Sequence, residues 1–96
     1  MKMAITEKQK TIIKNVTQKF QPKLIGVFGS YARGDQNKDS DLDILIDFKE
    51  KINLLELIGL EQELSELLEI KVDLITQKSL HPPLKPLIEK DLIRIL

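Results

Sequence analysis

The chain has 96 residues, and its fifteen basic and fifteen acidic side chains cancel to a net charge of zero. It therefore lacks the Lys and Arg surplus that a general nucleic-acid binder sets against phosphates, so nucleic acid is not an expected partner. Cysteine is absent and histidine occurs once, which excludes disulfides and thiolate metal sites and leaves no histidine set for zinc. Hydrophobic residues make up 42% and aromatics 4%, so the sequence predicts a folded chain with an aliphatic core. The length suits one domain, residues 1–96. Residues 1–10 are polar and no apolar run approaches the roughly 18 residues of a membrane span, so the expectation is a soluble, cytoplasmic protein without a membrane partner.

The first element reads as a helix, with Ile5, Ile12, Ile13, Val16 and Phe20 on one face. Thr6 and Gln9 have capping-box spacing, and Pro22 closes the segment. Residues 24–28 read as a short buried strand. Residues 29–34 read as a turn into a short helix, and residues 35–40 (D-Q-N-K-D-S) as a loop. Residues 41–48 alternate and then turn apolar, which predicts a second strand. Residues 53–69 form the clearest helix, with a stripe of Leu54, Leu57, Leu60, Leu64, Leu67 and Leu68. Asn53 and Glu56 again have capping-box spacing, and the remaining glutamates lie mostly off the stripe. Residues 70–76 predict a third strand, residues 79–86 a proline-broken stretch that starts a short helix, and residues 93–96 a fourth strand. The fold class is α+β: a small mixed sheet of about four strands with helices packed on one face.

Two features close together in sequence suit each other chemically. Gly29-Ser30 follows a strand and opens a helix, where a glycine permits close backbone approach and unpaired N–H groups suit a phosphate. Taken alone, such a pair is more often an ordinary turn. Asp41 and Asp43 are two apart in a strand and so share a face, with Cα atoms about 6–7 Å apart. Their carboxylates can converge on Mg²⁺, a hard cation usually held by one or two carboxylates plus substrate phosphates. Alone, they are equally well two solvated aspartates at a strand start. Asp73 interrupts the apolar run V-D-L-I, an expensive place for a carboxylate without ionic partners or water. If its strand neighbours the second, Asp73 faces the pair and offers a two-metal site; the alternative is a structural pair with Lys71. Asp47 lies about 20 Å beyond Asp41 along the strand and reads as a strand-end solvent residue.

Gly29-Ser30, ten residues, then Asp41-Leu42-Asp43 resembles the G-S-x(10)-D-x-D signature of the DNA polymerase beta-like nucleotidyltransferases. The longer G-S-Y-A-R-G-D and S-D-L-D-I-L-I runs resemble the minimal nucleotidyltransferase subfamily, with Asp73 at the position of that family's third carboxylate. The resemblance implies the nucleotidyltransferase fold and Mg²⁺-dependent transfer of a nucleoside monophosphate, AMP from ATP, to an acceptor hydroxyl. It implies that Asp41 and Asp43 hold two Mg²⁺ ions, and that Asp73 holds the one activating the nucleophile. Gly29 and Ser30 would hold the β- and γ-phosphates. Arg33 would neutralise phosphate charge; a surface arginine paired with Asp35 or Asp39 is the alternative. The resemblance also implies a HEPN-domain partner, with this chain acting as its antitoxin by adenylylating it.

The competing reading is a non-catalytic nucleotide-binding or partner-masking module, with the glutamate-rich side of the 53–69 helix against a basic partner or simply solvated. Three intact carboxylates favour the enzyme, since a pure binder has no need of a repulsive acidic cluster. The edge strand at 93–96 leaves room for a homo-oligomer. Ser40 is expected to order the strand start, Tyr31 to pack, and His81 to sit in a loop.

Overall fold

A computed structural model describes residues 5–96. Helix α1 (Glu7–Thr17) begins at the expected capping box: Thr6 accepts from the Gln9 amide and Gln9 bonds back to the Thr6 amide. After a 3₁₀ turn, Gln21 takes a left-handed conformation at φ 53°, and strand β1 runs Pro22–Phe28. Pro22 thus starts a strand rather than only ending a helix, consistent with a residue that has no N–H to give to a ladder. Helix α2 (Ser30–Arg33) is one turn long, and strand β2 covers Leu42–Phe48. Helix α3 (Leu54–Leu68) carries the second capping box, between Asn53 and Glu56. Strand β3 (Val72–Thr76) follows; then come 3₁₀ turns through the prolines, helix α4 (Lys85–Asp91) and the short strand β4 (Ile93–Arg94).

The sheet has the order β3-β2-β1-β4. β1 is antiparallel to β2 and β4, while β2 and β3 are parallel and joined through α3. This is the expected four-strand mixed sheet. Alternation along β2 divides its residues between two faces. Leu42, Ile44, Ile46 and Phe48 are buried in the core with Ile25 and Val27 of β1, Val72 and Leu74 of β3, Ile13 of α1, and Leu60, Leu64 and Leu68 of α3. Asp43 and Asp47 point to the opposite face. That face is not bare, because Gly26 alternates with the buried Ile25 and Val27 and a Cβ on it would meet Leu92 at 2.5 Å. The residue after α4 therefore packs on the far side of the sheet from α1 and α3.

Two expectations change on α3. Leu54 and Leu67 belong to the sequence stripe of α3, yet they are 70% and 54% exposed, because a four-strand sheet is too narrow to cover the helix's full apolar width. Glu61 lies off the stripe but is not merely solvated: its Oε2 accepts from the Leu74 amide at 2.8 Å. Ser65 Oγ likewise accepts from the Val72 amide at 3.0 Å. Both amides lie on the outer edge of β3, so α3 satisfies the donors that an edge strand would otherwise present to another chain. At the other edge, residues 93–96 pair with β1, the ladder extending through Ile95 and Leu96 to Ile25. No helix among the described residues is long and apolar enough to cross a membrane.

The edge bond at Glu61 generates a stability prediction. Glu61→Ala leaves the Leu74 amide without its acceptor and should cost about 1–2 kcal/mol. Glu61→Gln keeps a carbonyl oxygen and should lie within about 0.5 kcal/mol of the wild type. Urea unfolding of the three proteins checks this; equal midpoints for alanine and glutamine would show that the bond contributes nothing.

Candidate functional site

The parallel register of β2 and β3 sets Asp43 directly beside Asp73, on strands about 4.8 Å apart. Asp41 sits one residue ahead of β2 and is half-exposed. The three carboxylates foreseen from sequence therefore lie on one face, at the end of the sheet where β2 and β3 begin. Their mutual influence is visible at Asp43. Its pKa is raised above the ordinary aspartate value of 3.8, first by burial, then by the charges of Asp73 and Asp41, with Arg33 opposing.

Asp73 is exposed, so water meets the carboxylate and the cost of burying one in an apolar strand does not arise. β3 is an edge strand, and its outward face beside Asp43 is open to water. Lys71 is not its partner either: the Lys71 ammonium lies 3.9 Å from Asp41 Oδ2, on a side chain 80% exposed, a contact of the kind that contributes little. Asp47 also differs from its expected role. Its side chain is 14% exposed and pairs with Lys23 at 3.5 Å, so it braces β2 against β1 instead of reaching solvent.

Gly29 links the turn to the carboxylates. It caps α2 at φ 74° and ψ −149°, a region essentially confined to glycine, and a Cβ there would run into the Asp43 carboxylate. The glycine thus leaves room for Asp43, which sequence alone did not reveal. Ser30, half-buried, begins α2, and its backbone oxygen accepts from the amides of Gly34 and Asp35 to close the turn. Arg33 ends α2; its Nε bonds Asp35 at 3.1 Å and its Nη1 bonds Asp91 at 3.2 Å. Asp35 was an expected alternative partner and Asp39 was not realised. Asp91, 58 positions away, has no signal in the spacing. Ser40 Oγ accepts from the Asn37 amide and orders the loop before β2, Tyr31 is buried, and His81 is exposed in the proline segment.

The chain matches the "Nucleotidyltransferase domain" family over residues 9–95. The protein belongs to that family. Among curated relatives, this nucleotidyltransferase is 58% identical to a Methanocaldococcus jannaschii protein provisionally named a protein adenylyltransferase, over 85% of each chain. It is 40% identical to protein adenylyltransferase MntA of Thermococcus cleftensis, over 85% of this chain and 83% of the other. Among solved structures, a toxin–antitoxin complex with AMP-PNP superposes at a TM-score of 0.82 with 25% identity, covering 95% of this chain and 73% of the other. A Shewanella oneidensis complex of tri-AMPylated HEPN toxin with MNT antitoxin shares the fold at a TM-score of 0.78 and 20% identity, covering 96% and 72%.

Asp41, Asp43 and Asp73 offer hard oxygen atoms of the kind a divalent cation takes. Among the described residues no three metal-ligating side chains form a ready-made cage. Openness also distinguishes the site from a concavity of about 230 Å³ at the other end of β2 and β3, bounded by Asp47, Phe48, Thr76 and Ser79. There Asp47 is already committed to Lys23.

Two predictions follow from Gly29 and Asp43. Gly29→Ala must relax a glycine-only conformation and displace the Asp43 carboxylate, and should cost about 1–3 kcal/mol in urea unfolding; a neutral substitution would contradict the described contact. Asp43→Asn removes a charge that the fold disfavours. Because the folded pKa is raised, the wild type loses stability as pH rises through it, whereas the asparagine variant does not. In EDTA at pH 7 the variant should melt at or above the wild-type temperature, and the two should converge near pH 3, where Asp43 is protonated folded or unfolded. A variant clearly less stable at pH 7 would mean that the Asp43 charge is structurally supported.

Proposed function

We propose that this nucleotidyltransferase moves AMP from ATP to a hydroxyl on a HEPN-domain protein and thereby acts as its antitoxin. The observation that carries the reading is the placement of Asp41, Asp43 and Asp73 on one open face, with Gly29 against Asp43. Kinship with MntA, and with a toxin–antitoxin structure containing an ATP analogue, supports the adenylyl group and the protein acceptor. The HEPN class of partner matches the AMPylated toxin of the Shewanella complex.

In this reading Asp41, Asp43 and Asp73 are the residues that would hold two Mg²⁺ ions. When bound, the ions would supply charge neutralisation at the phosphates and a lowered pKa at the attacking hydroxyl. The chain's own residues do the rest. The Gly29-Ser30 turn brings backbone and hydroxyl donors to the β- and γ-phosphates, and Gly29 leaves the nucleotide a close approach beside Asp43. Arg33, whose positive charge already acts on Asp43, offsets part of the triphosphate charge. In this reading the acceptor oxygen approaches the α-phosphate from the Asp73 side and bonds to it, its proton passing to solvent, while the bond to the β-phosphate oxygen breaks and pyrophosphate leaves toward the Gly29-Ser30 turn.

The experiment is transfer of labelled AMP to a purified HEPN partner with ATP and Mg²⁺. Wild type should label the partner, while Asp41→Asn and Asp43→Asn should each lower transfer by at least about 100-fold yet still bind the partner and melt near the wild-type temperature. Complex formation without label transfer by the wild type would instead support a masking module. Retention of most transfer by either variant would remove that aspartate from the site.

A further inference from the structure

We propose that Asp91 is a positioning residue that holds Arg33 toward the triphosphate, so that the C-terminal segment forms part of the nucleotide site. The inference rests on the reading of Arg33 given above and adds a residue from the other end of the chain. Arg33 has two anionic partners, and they differ in what they are fixed to. Asp35 lies two residues on, just past α2, with its side chain 61% exposed; its amide bonds the Ser30 carbonyl oxygen, so a bond to it ties Arg33 only to its own segment. The Asp91 side chain is 26% exposed and ends α4. The residues directly after it are anchored: Leu92 packs over Gly26, while Ile93 and Arg94 pair with Val27 and Gly26 of β1. The Asp91 carboxylate is therefore tied to the strand that leads into Gly29 and Ser30.

The bonding pattern suits a positioning role. A guanidinium has five N–H donors in a rigid fork, and Asp35 and Asp91 account for one each. Two bonds on different nitrogens fix both the location and the plane of the fork while leaving its charge in place. Arg33 is 48% exposed, so a phosphate can reach it from solvent. Holding a long flexible side chain in advance lowers the ordering cost paid when the ligand arrives. Because Asp91 acts only through Arg33, its contribution must vanish when Arg33 is absent, whereas a purely structural contribution of the α4 end would persist.

A double-mutant cycle on the full chain tests this, with Mg²⁺-ATP as the probe and calorimetric titration as the readout. Arg33→Ala and Asp91→Asn should each weaken binding, by about tenfold and about three- to tenfold, and the double variant should bind like Arg33→Ala alone. Asp91→Glu, which keeps the carboxylate, should recover most of the affinity. Additive losses, or an Asp91→Asn protein that binds like wild type while Arg33→Ala is weakened, would overturn the proposal and leave the phosphate role of Arg33 standing. Wild-type affinity in Arg33→Ala would overturn both. Circular dichroism melts of all four variants accompany the titrations, and a loss in Asp91→Asn that tracked lower melting and was not recovered by glutamate would count against positioning.

Discussion

Four side chains of β2, Leu42, Ile44, Ile46 and Phe48, are each 0–4% exposed against the helical layer, and their burial decides where both aspartates of the strand go. Burying such a side chain stabilises by roughly 1.5–3 kcal/mol, so slipping β2 by one residue would forfeit several of these at once and drive Asp43 into the core. The carboxylates do not hold themselves together; on the contrary, Asp41 and Asp73 oppose the ionisation of Asp43. Apolar packing on one face keeps mutually repulsive charges in register on the other. That division of labour is why the sheet tolerates a site that destabilises it.

The remaining parts of the site attach to the same frame. Gly29 is needed where β1 delivers the chain against Asp43, and Gly26 where Leu92 crosses the strand. The two glycines sit on β1 or directly after it, three residues apart, and each makes room for a side chain from elsewhere. β1 thus receives β2 on one side and the C-terminal segment on the other, and the turn at its end sits where all three meet.

Much of this was legible because it is local. Both capping boxes were visible from the residue types at N-cap and N3, and period-two alternation was enough to separate Asp41 and Asp43 from the core. The nucleotidyltransferase signature tied the turn to the carboxylates. What escaped notice depends on residues far apart in sequence. The Arg33–Asp91 pair spans 58 positions, and the Glu61 and Ser65 bonds to β3 arise only once α3 has crossed over the sheet. That water meets Asp73 follows from its strand lying at an edge, which an apolar run in the sequence does not show. Leu54 and Leu67 share the apolar stripe yet stay exposed, because helical spacing reports which residues share a face, not how wide the partner surface is.

The bonds from Glu61 and Ser65 to the outer edge of β3 also bear on the order of assembly. Those amides are covered by side chains of a helix, not by another strand. Until α3 docks, β3 presents unpaired donors to any extended segment it meets. Docking of the crossover helix is thus what withdraws these donors from other strands, and its capping box supports the helix through contacts that need no long-range partner.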